Sequence, residues 1–224
     1  MRTEIGILID FSREACAYIK IEKEDWFRLA EYAQHFGAPT RYLDWTSNPL
    51  VALFFACSTR KTRISAVWLF QHILYREFWE SRTPSHEVAK DIPQRVADLI
   101  NNKSEIEFPF AYSPYYPDLR MSAQSSYFMV WGTSGKSLNE QLKGKNISLV
   151  LTKNIPNLGA KIGDSKVFGY DDFLVQFLIH PQYKRLILRE LDLMGINEKT
   201  LFPGLDGIGK YVQRKSQCDY YNDS

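Results

Sequence analysis

Apolar residues at helical spacing predict an amphipathic helix near the start of the chain. They recur every three or four positions, as one face of a helix requires: Trp26, Leu29, Ala30, Ala33 and Phe36. Asp25 can cap this helix at its N-terminus, and Gly37 can adopt the left-handed conformation that ends it. Residues 4–21 contain no strong turn signal and predict an earlier helix.

A strand and a wholly apolar helix follow. Residues 40–45 predict a short strand. Ser47 or Asn48 can cap the next helix, and Pro49 suits its first position. This helix, residues 49–58, is apolar on nearly every side, so we expect it to lie at the centre of the fold.

Later segments carry mixed strand and helix patterns. β-Branched and aromatic residues predict strands at 64–70, 120–132 and 147–151. The remaining segments are read as follows: helices within 71–104 with one start near Pro93, a loop at 105–118, a loop or short helix at 136–146, and a helix or a strand at 173–179.

The C-terminal part predicts two helices. Pro181 can begin the first and Gly195 can end it, and residues 203–212 predict the second. The polar tail at 216–224 is expected to fray. Together the elements favour the α+β class, with a small central, mostly antiparallel sheet, surrounding helices and a C-terminal helical pair.

Composition narrows the functional classes. Hydrophobic residues make up 45% of the 224 residues, which is enough for a sizeable core. The net charge is +2 and no long run of like charges occurs, so we expect no direct nucleic-acid binding. The start lacks the pattern of a signal peptide and no apolar run is long enough to span a membrane. A cytoplasmic location with no membrane contact is therefore expected.

Cysteines and histidines give no pattern of metal ligands. The three cysteines are widely spaced and contain no CxxC pair, which argues against a disulfide framework and a structural zinc site. The four histidines also lack partners at ligand spacing, so no metal site is expected.

Polar residues crowd the segment before the apolar helix. Gln34 and His35, in the last turn of the predicted helix, either satisfy terminal carbonyls or line a pocket. Arg41 and Asp44 are three apart on a predicted strand, so they should point to opposite faces. Asp44 either caps backbone amides or orients a ligand.

Hydroxyl and amide side chains extend this polar region. Thr46 and Ser47 precede a helix N-terminus, where they either cap it or hold an anionic or sugar-bearing ligand. Arg120 and Gln124 form a second cluster, for which a surface salt bridge of Arg120 is the alternative explanation. The residues alone therefore indicate an α+β domain with a polar site at 34–47.

The segment QHFGAPTRYLDWTSNPLVALFFA, residues 34–56, resembles the core of the FRG domain family. RMSAQSSYFMVWG resembles the family's Arg-Ile-x-x-Gln-x-Gly-x-Phe strand, with Ser126 in place of the usual glycine. TLFPGLDGIGKYV resembles its closing Leu-Phe-Pro-x-Leu-x-Gly helix. On this resemblance, residues 1–224 form a single FRG-like domain.

One family feature is missing. The name-giving Phe-Arg-Gly segment does not occur, and the first residues resemble the helix that follows it in the family. We therefore expect an N-terminally short member, in which any substrate contact of the missing arginine is lost.

The resemblance allows an enzymatic function by analogy with ADP-ribosyltransferase folds. The Asp44–Ser47 segment before an Ala-rich aromatic helix matches their middle element, and Gln124 can take the place of a late acidic residue. This makes Asp44, Gln124 and Arg120 candidate catalytic residues, and it makes NAD a candidate cofactor. Candidate ligand-binding residues are Gln34, His35, Arg41, Thr46 and Ser47.

Two functions follow from this reading. One is an NAD-handling effector of bacteria or phages, such as a toxin or a phage-defence protein. The other is a non-catalytic module that senses a nucleotide or binds a protein partner, which the missing Phe-Arg-Gly segment favours.

Overall fold

A computed structural model describes residues 3–22, 25–59, 62–114, 119–142, 147–150 and 174–217. Within them lie the helices α1 (Glu4–Ala15), α2 (Trp26–His35), α3 (Pro49–Ser58), α4 (His72–Arg82), α5 (Ser85–Val88), α6 (Ile92–Ile100), α7 (Leu119–Ala123), α8 (Leu138–Gln141), α9 (Pro181–Leu193), α10 (Glu198–Leu201) and α11 (Leu205–Gln217). The strands are β1 (Tyr42–Thr46), β2 (Ser65–Phe70), β3 (Phe110–Tyr112), β4 (Ser126–Val130), β5 (Ile147–Val150) and β6 (Leu174–Ile179). The predicted α+β class is confirmed.

The strands form two three-stranded sheets instead of one central sheet. The first has the order β1-β4-β3, and β3 runs antiparallel to β4. The second has the order β2-β6-β5. In it, β2 pairs antiparallel with β6 from Ser65↔Ile179 to Phe70↔Leu174, and β5 pairs parallel with β6.

The chain divides into two compact units, each built from three stretches. The first unit comprises Met1–Asp44, His72–Ser113 and Phe128–Lys143. The second comprises Trp45–Gln71, Pro114–Tyr127 and Gly144–Ser224. The divisions fall inside β1 and β4, so each of these strands contributes residues to both units.

The core of the first unit is aromatic. The ring of Phe128 contacts that of Tyr42 edge-on at a centroid distance of 5.3 Å and that of Tyr112 at 5.9 Å. Helix α2 packs against α6 beside these rings. Glu31 on α2 is also buried, and its Oε1 accepts a hydrogen bond of 2.8 Å from the Tyr112 hydroxyl. A buried carboxyl without such a partner would be costly.

The core of the second unit forms around α3, which packs against α9 and β2. Val51 and Cys57 on α3 are fully buried, Phe54 is nearly so, and they cluster with Leu188 and Leu191 of α9. The central position predicted for the apolar helix is confirmed within this unit. Its predicted range, residues 49–58, is also the observed one.

Capping residues set the helix boundaries as predicted. Asp25 accepts a hydrogen bond of 3.1 Å from the Arg28 N–H, and Asn48 accepts one of 3.0 Å from the Leu50 N–H. Gly37 has a φ of 83° and Gly195 a φ of 80°, conformations in which a side chain would be strained.

Several predicted elements were wrong in extent or type. The helix predicted at 4–21 ends at Ala15, and the loop predicted at 105–118 contains the short strand β3. The segment predicted as a strand at 120–132 begins in helix α7, because Leu119–Ala123 are mostly good helix formers. The undecided segment at 173–179 is strand β6. Leu151 and the tail residues 218–224 lie outside the described residues.

Candidate functional site

A chain of hydrogen bonds in the first unit ends on the exposed carboxylate of Asp44. The Tyr42 N–H donates to Thr40 Oγ1 at 3.1 Å, and this hydroxyl donates to Gln34 Oε1 at 2.6 Å. The Nε2 of Gln34 then donates to Asp44 Oδ2 at 3.0 Å. Because each group accepts from one neighbour and donates to the next, the chain fixes the orientation of the Gln34 amide, and the amide nitrogen binds the Asp44 carboxyl group.

The local sequence explains how these residues meet. Gln34 lies in the last turn of α2, and Gly37 reverses the chain with its positive φ. The chain then passes through Pro39 into β1, which carries Asp44. Residues ten positions apart are thereby brought into hydrogen-bonding contact.

Arg41 is engaged by a carboxylate that the sequence did not reveal. Its Nε donates to Glu4 Oε2 at 2.8 Å, and its Nη2 lies 2.6 Å from the same oxygen. The Arg41 N–H donates to Glu4 Oε1 at 3.0 Å, and Nη1 donates to the Trp131 carbonyl at 3.3 Å. Both side chains are largely buried, so this pair ties α1 to the start of β1.

Replacing Arg41 with alanine is expected to lower the free energy of unfolding by about 2 kcal/mol, because Glu4 would lose its guanidinium partner in a largely buried position. Urea unfolding followed by circular dichroism measures the change. The matched control is Arg13→Ala, which removes an exposed pair with Asp10 at 3.5 Å. It should cost under about 0.5 kcal/mol, and equal losses in the two variants would contradict the structural role of Arg41.

His35 is the last residue of α2 and belongs to the first unit. Its ring is half-buried and contacts the exposed ring of Phe36 edge-on at a centroid distance of 4.9 Å. The position in the last turn is the one predicted from the sequence.

In the second unit, Thr46 and Gln124 come together through a backbone group. Thr46 Oγ1 donates to the Gln124 carbonyl at 2.7 Å and accepts the Asn48 N–H at 3.0 Å. The Ser47 N–H donates to the Ser125 carbonyl at 3.0 Å. The Gln124 side chain donates from Nε2 to the Leu201 carbonyl at 3.0 Å. The hydroxyl of Thr46 thus joins the start of α3 to the segment before β4.

Arg120 lies on α7 and stacks on an aromatic ring. Its Cζ lies 5.0 Å from the centroid of the Phe202 ring, at a distance typical of a cation–π contact. Among the described residues, the Arg120 guanidinium makes this contact and forms no salt bridge. Arg120 remains exposed.

The predicted site residues therefore fall into separate groups. Gln34 contacts Asp44, whereas Arg41 contacts Glu4. Thr46 contacts Gln124 through the Gln124 carbonyl. The first unit contains Gln34, His35, Arg41 and Asp44. The second unit contains Thr46, Ser47, Arg120 and Gln124.

Sequence reasoning missed Thr40 and Glu4. Thr40 stands in the FRG-like run, and its place between Gln34 and Asp44 is a signal that could have been used. Glu4 is 37 residues from Arg41, and no feature of the sequence connects the two.

Sequence reasoning also missed Glu31, a buried carboxyl group on α2 whose pKa is raised. Burial raises the pKa of Glu31 from 4.5 to about 7. The hydrogen bond from Tyr112 and the charge of Arg28 act in the opposite direction, and Asp25 adds to the rise. A glutamate on the buried face of α2 was the only sequence signal.

Other site types have no support in the described part of the chain. No group of three or more His, Cys, Asp or Glu residues is placed to hold a metal ion there. No described helix is both long and apolar enough to cross a membrane.

Within the described α+β fold, a chain of hydrogen bonds ends on the exposed carboxylate of Asp44. Residues 2–64 match the family model of the FRG domain. The resemblance read from residues 34–56 is thereby confirmed, while the two later FRG-like segments lie beyond the match and stay predictions. No curated protein and no solved structure matches the chain.

Proposed function

We propose that this protein acts on NAD in the manner of an ADP-ribosyltransferase, with Asp44 as the reactive carboxylate. The observation that carries the proposal is the hydrogen-bonded chain from Thr40 through Gln34 to Asp44. It lies within the FRG match and holds an exposed carboxylate in one orientation. Such preorganised charge is effective at stabilising a cationic transition state.

The proposed reaction breaks the bond between C1′ of the nicotinamide ribose and the ring nitrogen of nicotinamide. Nicotinamide leaves with the bonding electron pair, and the ribose develops oxocarbenium character that the Asp44 carboxylate stabilises. A water molecule or a nucleophilic side chain of a target protein then forms the new bond to C1′. Its proton passes to Asp44 or to solvent, so the products are nicotinamide, one proton and either ADP-ribose or an ADP-ribosylated protein.

The candidate residues of the second unit form a separate group, and the proposal for Asp44 does not depend on them. Arg120 is an exposed cation suited to a phosphate, and Ser47 is an exposed hydroxyl suited to a sugar. Thr46 and Gln124 hold the backbone at the start of α3 and before β4.

The test is NAD turnover by the purified chain, measured as released nicotinamide and as protein-bound ADP-ribose. Asp44→Asn keeps the size of the side chain but removes its charge, and it should lower kcat by about 100-fold. Asp206→Asn is the matched control, because Asp206 is an exposed aspartate at the start of α11. Its turnover should equal that of the wild type.

Two outcomes would contradict the proposal. One is a wild-type chain that releases no nicotinamide, and the other is an Asp44→Asn variant that is as active as Asp206→Asn. Thr40→Val adds a finer test, since it removes the hydroxyl that orients Gln34 while leaving Asp44 in place. It should reduce kcat by about tenfold if orientation of the carboxylate matters.

An NAD-consuming activity would suit an effector in bacterial or phage conflict. A toxin or phage-defence protein of this kind would act by depleting NAD or by modifying a host protein. Growth arrest on expression of the wild type, relieved by Asp44→Asn, is the corresponding cellular result.

A second function, nucleotide sensing or protein binding without turnover, is favoured by one observation. The side chains of Arg41 and Gln124 are hydrogen-bonded to Glu4 and to the Leu201 carbonyl, so both support the fold. This function predicts that NAD raises the melting temperature without nicotinamide release, since a ligand that binds only the folded state stabilises it. Co-purification of a protein partner, lost on substitution of Asp44, is the alternative sign.

A further inference from the structure

A cavity of about 530 Å³ lies within the first unit, and none of its lining residues belongs to the FRG match. Its walls come from α4, the α5–α6 segment and the strand β3. Cavities of this size are typical of sites for small organic molecules. The lining combines aromatic rings with charged side chains, which indicates the chemistry of a ligand.

The aromatic wall is rigid. Trp79 and Tyr75 of α4 are almost completely buried. The Trp79 Nε1–H donates to the Phe108 carbonyl at 3.2 Å, and the Tyr75 hydroxyl donates to the Pro109 carbonyl at 2.8 Å. The Phe110 ring contacts the Trp79 ring at a centroid distance of 5.7 Å. Rings fixed in this way give the cavity a preformed apolar side.

Arg95 of α6 places a positive charge against this wall. Its Cζ lies 5.1 Å from the centroid of the Trp79 ring and 5.8 Å from that of Phe110. Its Nε donates to the Glu87 carbonyl at 3.1 Å and its Nη2 to the Val88 carbonyl. Among the described residues, no carboxylate forms an ion pair with Arg95, and its hydrogen bonds go to backbone carbonyl groups.

The other cations of the lining are already paired. Arg76 donates to Glu80 at 2.8 Å, and Lys90 binds Asp98 at 2.8 Å and Glu87 at 3.1 Å. Burial lowers the pKa of Arg95, which indicates that its charge is poorly solvated. A ligand anion would therefore gain most at Arg95.

We propose that this cavity binds a small organic anion that carries a planar ring. The ring lies against the apolar side of the cavity formed by Trp79 and Phe110, and the anionic group pairs with Arg95. Aromatic carboxylates and nucleoside monophosphates both have this chemistry. The proposal does not depend on NAD turnover, because it uses none of the residues assigned to that reaction.

Ala111 offers a clean way to change the charge of the cavity. It lies on β3, lines the cavity and is exposed, while its neighbours Phe110 and Tyr112 are buried. Ala111→Glu introduces a negative charge into the cavity, and Ala111→Gln introduces a side chain of nearly the same size without charge. The pair separates electrostatic repulsion from steric filling.

The experiment is calorimetric titration of the full chain with AMP and with indole-3-acetate. Adenosine provides the ring without the anion, and inorganic phosphate and acetate provide anions without the ring. We expect AMP or indole-3-acetate to bind. Adenosine, inorganic phosphate and acetate, which each lack either the anion or the ring, should bind much more weakly. Relative to Ala111→Gln, the Ala111→Glu variant should weaken binding by at least about tenfold, as a like charge within contact distance requires.

A second pair of variants tests the cation. Arg95→Gln should lose the binding, whereas Arg82→Gln should retain it. Arg82 lies on the same helix as Trp79 but does not line the cavity. Its Cζ lies 5.3 Å from the centroid of the Phe78 ring. Circular dichroism shows whether each variant is folded. If Arg95→Gln does not fold, the comparison of Ala111→Glu with Ala111→Gln tests the proposal.

The outcomes separate the sources and the alternatives. Binding of AMP alone identifies a nucleotide, and binding of indole-3-acetate alone identifies an aromatic acid; both support the proposal. Absence of binding by either at millimolar concentration would overturn it. Equal binding by Ala111→Glu and Ala111→Gln, or phosphate binding as tight as that of AMP, would overturn it as well.

Discussion

Replacing Gly207 with alanine is expected to lower the free energy of unfolding by about 3 kcal/mol or more, because the new methyl group has no room. A Cβ atom at Gly207 would lie 1.9 Å from the Phe202 carbonyl oxygen and 2.8 Å from the Glu198 carbonyl oxygen. Both are backbone atoms, so no change of side-chain rotamer relieves the contact. Helix α11 would have to shift away from α10, which it contacts closely.

The matched control lies two residues further along the same helix. A Cβ atom at Gly209 would meet no atom within 4 Å. Since alanine is a better helix former than glycine by about 1 kcal/mol, Gly209→Ala should leave stability unchanged or raise it slightly. Urea unfolding measures the free energy of unfolding of both variants. Similar losses of stability at the two positions would contradict the close contact between position 207 and the Phe202 carbonyl.

This contact gives a physical reason for one residue of the FRG-like segment at 200–212. In the pattern Leu-Phe-Pro-x-Leu-x-Gly, the last position is Gly207. The chain turns through Gly204, which has a φ of 124°, and the first turn of α11 then packs on the Phe202 carbonyl. Only glycine permits this approach at position 207.

Replacing Glu31 with glutamine is expected to raise the free energy of unfolding by about 3 kcal/mol above pH 7 and to leave it nearly unchanged below pH 4.5. The glutamine has the same shape, and its Oε1 can still accept the hydrogen bond from Tyr112. What it removes is the cost of ionising a buried carboxyl group.

The direction follows from the raised pKa. Burial raises the pKa of Glu31 from 4.5 to about 7, so the folded chain holds this proton more tightly than the unfolded chain. The stability contributed by the bound proton is complete below pH 4.5 and is lost as the pH rises to about 7. Charges that face the group, Arg28 and Asp25, modify the shift but do not reverse it.

The effect is measured by denaturant unfolding of the wild type and of Glu31→Gln between about pH 4 and pH 8. This range spans the shift of the Glu31 pKa from 4.5 to about 7. Glu77→Gln is the control, because Glu77 is exposed on α4. It should give the same pH dependence as the wild type. A constant difference between Glu31→Gln and the wild type across this range would rule out a titration of Glu31.

Elements with clear terminal signals could be predicted from the sequence. Asn48 and Pro49 fixed the start of α3, and Pro181 and Gly195 fixed the limits of α9. These signals are local, because a capping side chain binds an amide only two or three residues away. Helix α3 was therefore predicted with its observed bounds.

Short elements could not be predicted in the same way. Strand β3 has three residues and α7 has five, so neither shows a full period of its pattern. Pairing with β4 stabilises β3, and this partner lies farther along the chain. The division of the strands into two sheets likewise depends on pairings such as β2 with β6, which join distant segments.

The candidate site was predicted by residue type but not by contact. Gln34 and Asp44 were both selected, yet only the reversal at Gly37 makes them neighbours. Arg41 was selected for a pocket, while its guanidinium binds Glu4 at a separation of 37 residues. Spacing reveals partners on one helix or strand, whereas contacts between elements require the tertiary fold.

The interleaving of the two units constrains the order of events during synthesis. The FRG match at 2–64 contributes to both units, since their first division follows Asp44. The first core also needs Leu142 and the second needs Leu201, both buried and both made much later. On a ribosome that builds the chain from its N-terminus, the matched segment therefore waits for its partners. A fragment limited to that segment would hold part of each core and complete neither.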